Sequence, residues 1–291
     1  ALYSATADDF DLQVRHLKQS FELIGANDLD AARDDLVNPS ATRKQFAVVT
    51  FDDGYRDNFE LAFPVLKAHA APAIFCVSTG FLDNPRVAWW DELAWMVNNA
   101  STPAIPSNSW TLVEVDLSAE NRSVALQKLL KTFKSLSASE TTTFLEFVAD
   151  ASGAGRCPSH LAQDTWMDWD MAREMQAGGM SFGGHTVNHH LLSSLPPEDQ
   201  DKEIRVCRER IAHELGEPPS VFSYPVGKSF AFSPLTECLV RQNGFDWAFA
   251  YAGGYLRNGR FNRWSIPRTT VERTYSMADF RAMTAAPQVF A

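Results

Sequence analysis

Short apolar runs recur along this chain at 46–51, 72–78, 180–185, 220–225, 245–251 and 263–271, and segments of helical spacing lie between most of them. Residues 8–24 carry Phe10, Val14, Leu17 and Phe21 on one helical face, with Thr6 as a plausible N-cap. "RDNFELAFPVLKAHA" reads as a second helix, kinked or restarted at Pro64, which has no N–H to donate. "DWDMAREMQAGG", "PEDQDKEIRVCRERIAHELG" and "SPLTECLVRQNG" are further helices, and a last one starts at Ser276. Apolar strands separated by helices imply βα units, hence an α/β fold with a parallel sheet or barrel. The rhythm lapses between about 83 and 165, where "WWDELAW", a Pro/Ser/Asn-rich piece and helical segments around 119–149 intervene. That stretch reads as an inserted helical and loop segment in one domain spanning 1–291, a length normal for a single α/β barrel.

In βα architectures the carboxyl ends of the strands gather the functional groups. Asp52 and Asp53, His185, and Pro225 to Gly227 all fall at such ends. Two adjacent carboxylates at the end of a buried strand repel and are poorly hydrated. They are tolerated if one binds a cation and the other exchanges protons. "GGHTVNHH" supplies His185 and His189, four apart; on a helical turn both imidazoles would meet one ion, while His190 would point elsewhere. Gly183 and Gly184 remove side-chain bulk just before them. Two histidines and a carboxylate make a common open metal site. The zinc-protease pattern H-E-x-x-H is absent.

Other features exclude more than they identify. A formal net charge of −10 argues against a nucleic-acid backbone or an anionic membrane as the main partner, but not against a neutral sugar. Cys76, Cys157, Cys207 and Cys238 are widely spaced, with no C-x-x-C, so they form neither a zinc cluster nor a clear disulfide framework. No apolar stretch reaches the ~18 residues needed to span a bilayer. No signal peptide is visible, and a segment cut away ahead of Ala1 would leave no trace, so the compartment stays open.

"TFDDGYRDN", "HTVNH" and "FSYPVG" together resemble the polysaccharide deacetylase family, carbohydrate esterase family 4, and "FELAFPVLKAHAAPAIFCVSTGFLD" matches the run that follows its first motif. The resemblance extends from the first helix to "IPR" at 266–268. It implies a distorted (β/α) barrel with fewer than eight complete units, removing acyl groups, mostly acetyl, from sugars with one divalent ion, often zinc. It makes Asp52 the general base and Asp53, His185 and His189 the metal ligands. It places a backbone N–H near Val226 against the oxyanion, with Tyr224, Pro225 and Gly227 beside the substrate. Trp89 or Trp90 could stack on a sugar ring. A divalent ion lowers the pKa of its water from about 15.7 toward about 7, so a modest carboxylate base suffices.

The chain departs from the family pattern twice. The Arg that normally precedes the third motif's proline by two residues is Ser223 here, as in a subgroup of Phe-x-Tyr-Pro form. Arg268 is the candidate substitute, expected to pair with Asp52. The family's late histidine acid has no counterpart, since the last histidine is His213; either Asp52 returns the proton or another group donates it. The leading expectation is a deacetylase of an N-acetylated sugar. Its alternatives are an amide or formyl hydrolase of a sugar nucleotide, lipid-linked sugar or ureide, and a barrel that binds glycan without hydrolysing it.

Overall fold

The structure is a computed structural model, and it describes residues 6–37, 45–137, 139–256, 261–272 and 274–287. The chain divides into two compact units, one of Ala1–Asn84 with Trp166–Ala291 and the other of Pro85–Thr165.

The first unit is built on six strands, numbered here along the chain: β1 (Thr50–Asp53), β2 (Ile74–Val77), β3 (Ser181–Gly184), β4 (Val221–Ser223), β5 (Trp247–Ala250) and β6 (Ile266–Pro267). Each lies beside its successor, and every pairing is parallel. Strand order that follows chain order without reversal is the order of a (β/α) barrel, not of a doubly wound sheet. The unit is therefore a distorted (β/α) barrel with fewer than eight units.

Side chains alternate across the sheet with period two. Ile74, Cys76, Val221, Trp247, Phe249 and Ile266 face the interior with Ile24 and Leu29. Phe75, Val77 and Phe182 face outward onto Val14, Phe63, Leu66, Met175, Cys207 and Ile211 of the helices. Asp52 stands in register with Cys76, and Asp53 with Val77. The pleat thus sends the two neighbouring acids to different sides. Cys76 in turn stands beside Gly183. A Cβ on Gly183 would lie 2.8 Å from Cys76 Sγ and 2.9 Å from the Val221 carbonyl oxygen, so only glycine fits there.

Several elements differ from expectation in extent. The first helix spans Ala7–Ser20, with the Thr6 hydroxyl accepting from Asp9 N at 3.1 Å, and residues 22–23 form a strand instead of extending it. The apolar run at 46–51 splits: Phe46–Ala47 pairs with Glu22–Leu23, and only from Thr50 does the chain join the main sheet. The helix around Pro64 is a π-helical turn, Asn58–Ala62, followed by an α-helix, Phe63–Ala68, because proline at the restart cannot donate to the preceding turn. The last strand is reduced to Ile266–Pro267.

The second unit holds the helices Trp89–Asn98, Arg122–Lys134 and Thr141–Ser152 and an antiparallel pair, Ala104–Ile105 with Val115–Asp116. It has its own core of Leu93, Met96, Ile105, Leu129, Phe144 and Val148. The buried Glu92 carboxylate is gripped by Arg156, with Nη2 donating to Oε2 at 2.9 Å. Among the described residues no helix is long and apolar enough to cross a membrane.

Candidate active site

Asp52, pointing inward at the end of β1, is held by two side chains from farther across the sheet. Arg268, just beyond β6, donates from Nη2 to Oδ2 at 2.6 Å and from Nη1 to Oδ1 at 2.9 Å. Ser223, at the end of β4, donates to Oδ2 at 3.0 Å and accepts from Arg268 Nη2 at 2.8 Å. Arg268 also reaches Thr50 Oγ1 at 3.0 Å, so one guanidinium ties the last strand to the first. Its plane lies over the Tyr251 ring at 4.5 Å. Burial alone would push the Asp52 carboxyl up. The charge of Arg268 and the hydrogen bonding from it outweigh burial and hold it below the usual carboxylate range. The ion pair expected between Arg268 and Asp52 is present, in bidentate form.

Asp53 has φ of +76°, a left-handed conformation at a residue that carries a Cβ. Its Oδ1 lies 3.2 Å from His185 Nε2 and 3.2 Å from His189 Nε2. His185 Nδ1 donates to the Ser223 carbonyl oxygen at 2.7 Å, and a carbonyl can only accept. That bond fixes the proton on Nδ1 and leaves the Nε2 lone pair facing the carboxylate, the usual arrangement behind a metal-bound histidine. Asp53 Oδ1 is buried and accepts no well-formed hydrogen bond. Lone pairs so close together repel unless a cation lies among them.

The donor set fits a small divalent ion. The three ligand atoms lie within 4.8 Å of one another. Ligands bound at about 2.1 Å around a tetrahedral ion are about 3.4 Å apart, close to the separations found here. Asp53, His185 and His189 could therefore hold a metal, with positions left for water or substrate.

The route by which the two imidazoles meet corrects the helical-turn expectation. Residues 185–190 form no helix. Thr186 has φ of +64° and His189 φ of +55°, and the Thr186 hydroxyl accepts from His189 N at 2.9 Å. Two left-handed residues fold the loop back on itself, so the rings lie 4.8 Å apart at 64°. Ser78 Oγ donates to the His185 carbonyl at 2.8 Å, and Gly80 N to that of Val187 at 2.8 Å.

Beyond β4, Val226 and Gly227 are also left-handed, with φ of +65° and +59°. A Cβ on Gly227 would lie 2.7 Å from Tyr251 N, which donates to the Gly227 carbonyl at 2.7 Å. Of the five left-handed non-glycine residues among those described, Asp53, Thr186, His189 and Val226 belong to these three segments, and only Ala70 does not. Such residues cost about 1–3 kcal/mol each and persist where surrounding structure imposes them, commonly at functional sites.

Not every residue singled out from the sequence is available here. Tyr224 lies on the outward parity next to inward Ser223; its ring stacks on Phe232 at 4.0 Å and its hydroxyl donates to the Trp264 carbonyl at 2.8 Å. It is buried, as is Pro225. In the second unit Trp89 stacks on Phe133 at 4.1 Å and meets the edge of Trp90 at 5.3 Å, which commits one face of Trp89 to packing. His213 is exposed on its helix beside Glu214 at 3.4 Å. Sequence reasoning missed the bonds that Ser223 and Thr50 make to Asp52 and Arg268. For Ser223 the inward parity shared with Asp52 was an available signal.

Fold and cluster together define a (β/α)-barrel protein with a candidate metal centre at the carboxyl ends of its strands. A family model described as polysaccharide deacetylase matches residues 40–149 and 121–247, more than half of the chain, and the chain belongs to that family. Among solved structures it is similar to the Streptococcus pyogenes deacetylase PplD in complex with acetate, at 16% identity and a TM-score of 0.62, covering 97% of this chain and 88% of that one. It is similar to IcaB from Ammonifex degensii at 18% identity and a TM-score of 0.59, covering 97% and 89%. The BpsB deacetylase domain from Bordetella bronchiseptica gives 18% and 0.56, covering 92% and 85%. Likeness at these identities is one of fold. No curated protein sequence matches the chain.

Proposed function

We propose that this protein is a metal-dependent deacetylase that removes N-acetyl groups from an N-acetylated sugar or polysaccharide. The observation that carries the reading is the division of labour between adjacent acids. Asp53 faces the Nε2 atoms of two imidazoles, while Asp52 faces Arg268 and Ser223. Membership of the polysaccharide deacetylase family supports it, as do the named deacetylases PplD and BpsB among chains of the same fold.

A divalent ion held by Asp53, His185 and His189, zinc being the common choice, would supply Lewis acidity to the attacking water and to the acyl carbonyl. Asp52 then takes the water's proton as the water oxygen bonds to the carbonyl carbon. Arg268 and Ser223 fix the direction of that carboxylate. The backbone N–H of Val226 is the donor proposed for the oxyanion that develops. As the C–N bond breaks, the proton on Asp52 passes to the departing nitrogen, giving acetate and a free amine. The Arg268 pair that makes Asp52 a weak base also makes its protonated form a strong acid, so one group serves both transfers without a late histidine.

The test is acetate release from N-acetylated chitooligosaccharides by the purified protein, before and after chelation and after adding back zinc. Release that needs the ion supports the reading. Glycan binding without release, or release only from sugar nucleotides or formylated substrates, refutes it in favour of the two alternatives.

A further inference from the structure

Glu203 lies on the helix Pro197–Leu215, and its carboxylate is buried against the loop that carries His185 and His189. Oε2 accepts from Val187 N at 3.0 Å and Asn188 N at 2.8 Å, and Oε1 accepts from Asn188 Nδ2 at 2.6 Å. The loop is gripped from its other side as well. The carbonyls of His185, Thr186 and Val187 accept from Ser78 Oγ at 2.8 Å, Thr79 N at 3.2 Å and Gly80 N at 2.8 Å. Amides face one support and carbonyls the other, between two residues of left-handed φ, Thr186 and His189.

We propose that Glu203 is a positioning residue for the metal centre: its carboxylate moulds residues 187 and 188 so that His189 meets His185 and Asp53 without rearrangement. The inference rests on the metal-dependent reading above. A carboxylate suits the task because it is all acceptor, and three N–H groups converge on it. With those bonds gone, the loop is held through its carbonyls alone, the left-handed residues lose one of their two supports, and the imidazole separation relaxes. The structural alternative is that Glu203 only anchors its helix to the barrel. In that case its loss lowers stability and leaves the ion's affinity unchanged in the folded protein.

Zinc affinity of the stripped full chain, measured by competition with a chromophoric chelator, separates the two, with circular dichroism confirming the fold. Glu203→Ala should bind zinc about 10- to 100-fold more weakly than the parent, the usual effect of losing an outer partner. Asn188→Asp sets carboxylate against carboxylate and should weaken binding too. The double variant Glu203→Gln with Asn188→Asp exchanges donor and acceptor across the contact, and should recover about tenfold over Asn188→Asp alone. That recovery decides the matter even if Glu203→Ala does not fold. A folded Glu203→Ala that binds zinc like the parent, or a double variant without recovery, overturns the proposal while leaving the metal reading intact. A parent that binds no zinc overturns both.

Discussion

Replacing Arg268 by alanine would strip the buried Asp52 carboxylate of its counter-charge while leaving the rest of the barrel end in place. The pair is bidentate at 2.6 and 2.9 Å, and the two side chains are only 9% and 12% exposed. Solvent therefore screens it little, and deleting one partner of such a pair costs about 3–5 kcal/mol. For a chain of this size each kcal/mol lowers Tm by about 2–4 °C, so the variant should melt about 6–20 °C below the parent at neutral pH. The sign of the pH dependence follows from Asp52, whose folded pKa lies below its unfolded value. The pair's contribution is thus complete above the unfolded carboxylate pKa of about 3.9 and is lost as pH falls through the folded value. With Arg268 gone, burial is the dominant influence and raises the carboxyl, so the variant is penalised for keeping Asp52 ionised and relieved by acid. The two melting curves should be far apart at pH 7 and converge toward pH 4. Activity should track the same proton: the acidic limb of kcat/KM moves to higher pH in the variant. Arg268→Lys retains charge but not the fork, and should fall between. Thermal melts across pH, with kcat/KM profiles on an N-acetylated chitooligosaccharide, test this. A variant melting within about 2 °C of the parent at pH 7, with an unmoved acidic limb, would refute the reasoning.

Chelation should abolish acetate release while the circular dichroism spectrum persists, because the apolar core around Ile74, Phe75 and Val221 does not depend on the ion; loss of the spectrum would make the site structural instead. Asp52→Asn should lower kcat by about 10²- to 10⁴-fold with zinc affinity retained. Asp53→Asn should chiefly weaken zinc binding, and reversed phenotypes would mean the two roles are exchanged. Gly183→Ala forces a Cβ to within 2.8 Å of Cys76 Sγ and 2.9 Å of the Val221 carbonyl, and should destabilise by about 1–3 kcal/mol. A denaturant midpoint equal to the parent's would show that the barrel interior yields at that point.

The barrel was legible because its determinants are local. Each strand of the main sheet lies in or at the end of a short apolar run, and the helices between them carry their own periodicity. Asp52 and Arg268 could be matched for a different reason: the resemblance leaves Ser223 where an Arg usually stands, and implies Arg268 of "IPR" as the substitute counter-charge. Strand parity would also have set Ser223 inward and Tyr224 outward, whereas the resemblance places Tyr224 beside the substrate as part of the third motif. Glu203 was hidden among the charges of "PEDQDKEIRVCRERIAHELG", where nothing along the helix distinguishes an acid that faces a loop from one that faces water.

The histidine spacing shows how a correct outcome can rest on a wrong cause. His185 and His189 do converge, yet a helical turn is not what brings them together. His is only modestly enriched in the left-handed backbone, too weakly to announce it, and a β-branched residue such as Thr186 disfavours it. The conformation exists because Ser78, Thr79 and Gly80 take the loop's carbonyls and Glu203 takes its amides, contacts that join positions over a hundred residues apart in one case and fifteen in another. The same holds for Asp53, whose left-handed φ turns its carboxylate to the imidazoles while Asp52 faces inward. Strain at the candidate site is thus a property of the assembled barrel. A segment excised from it should lose the metal-site geometry even with every ligand residue retained.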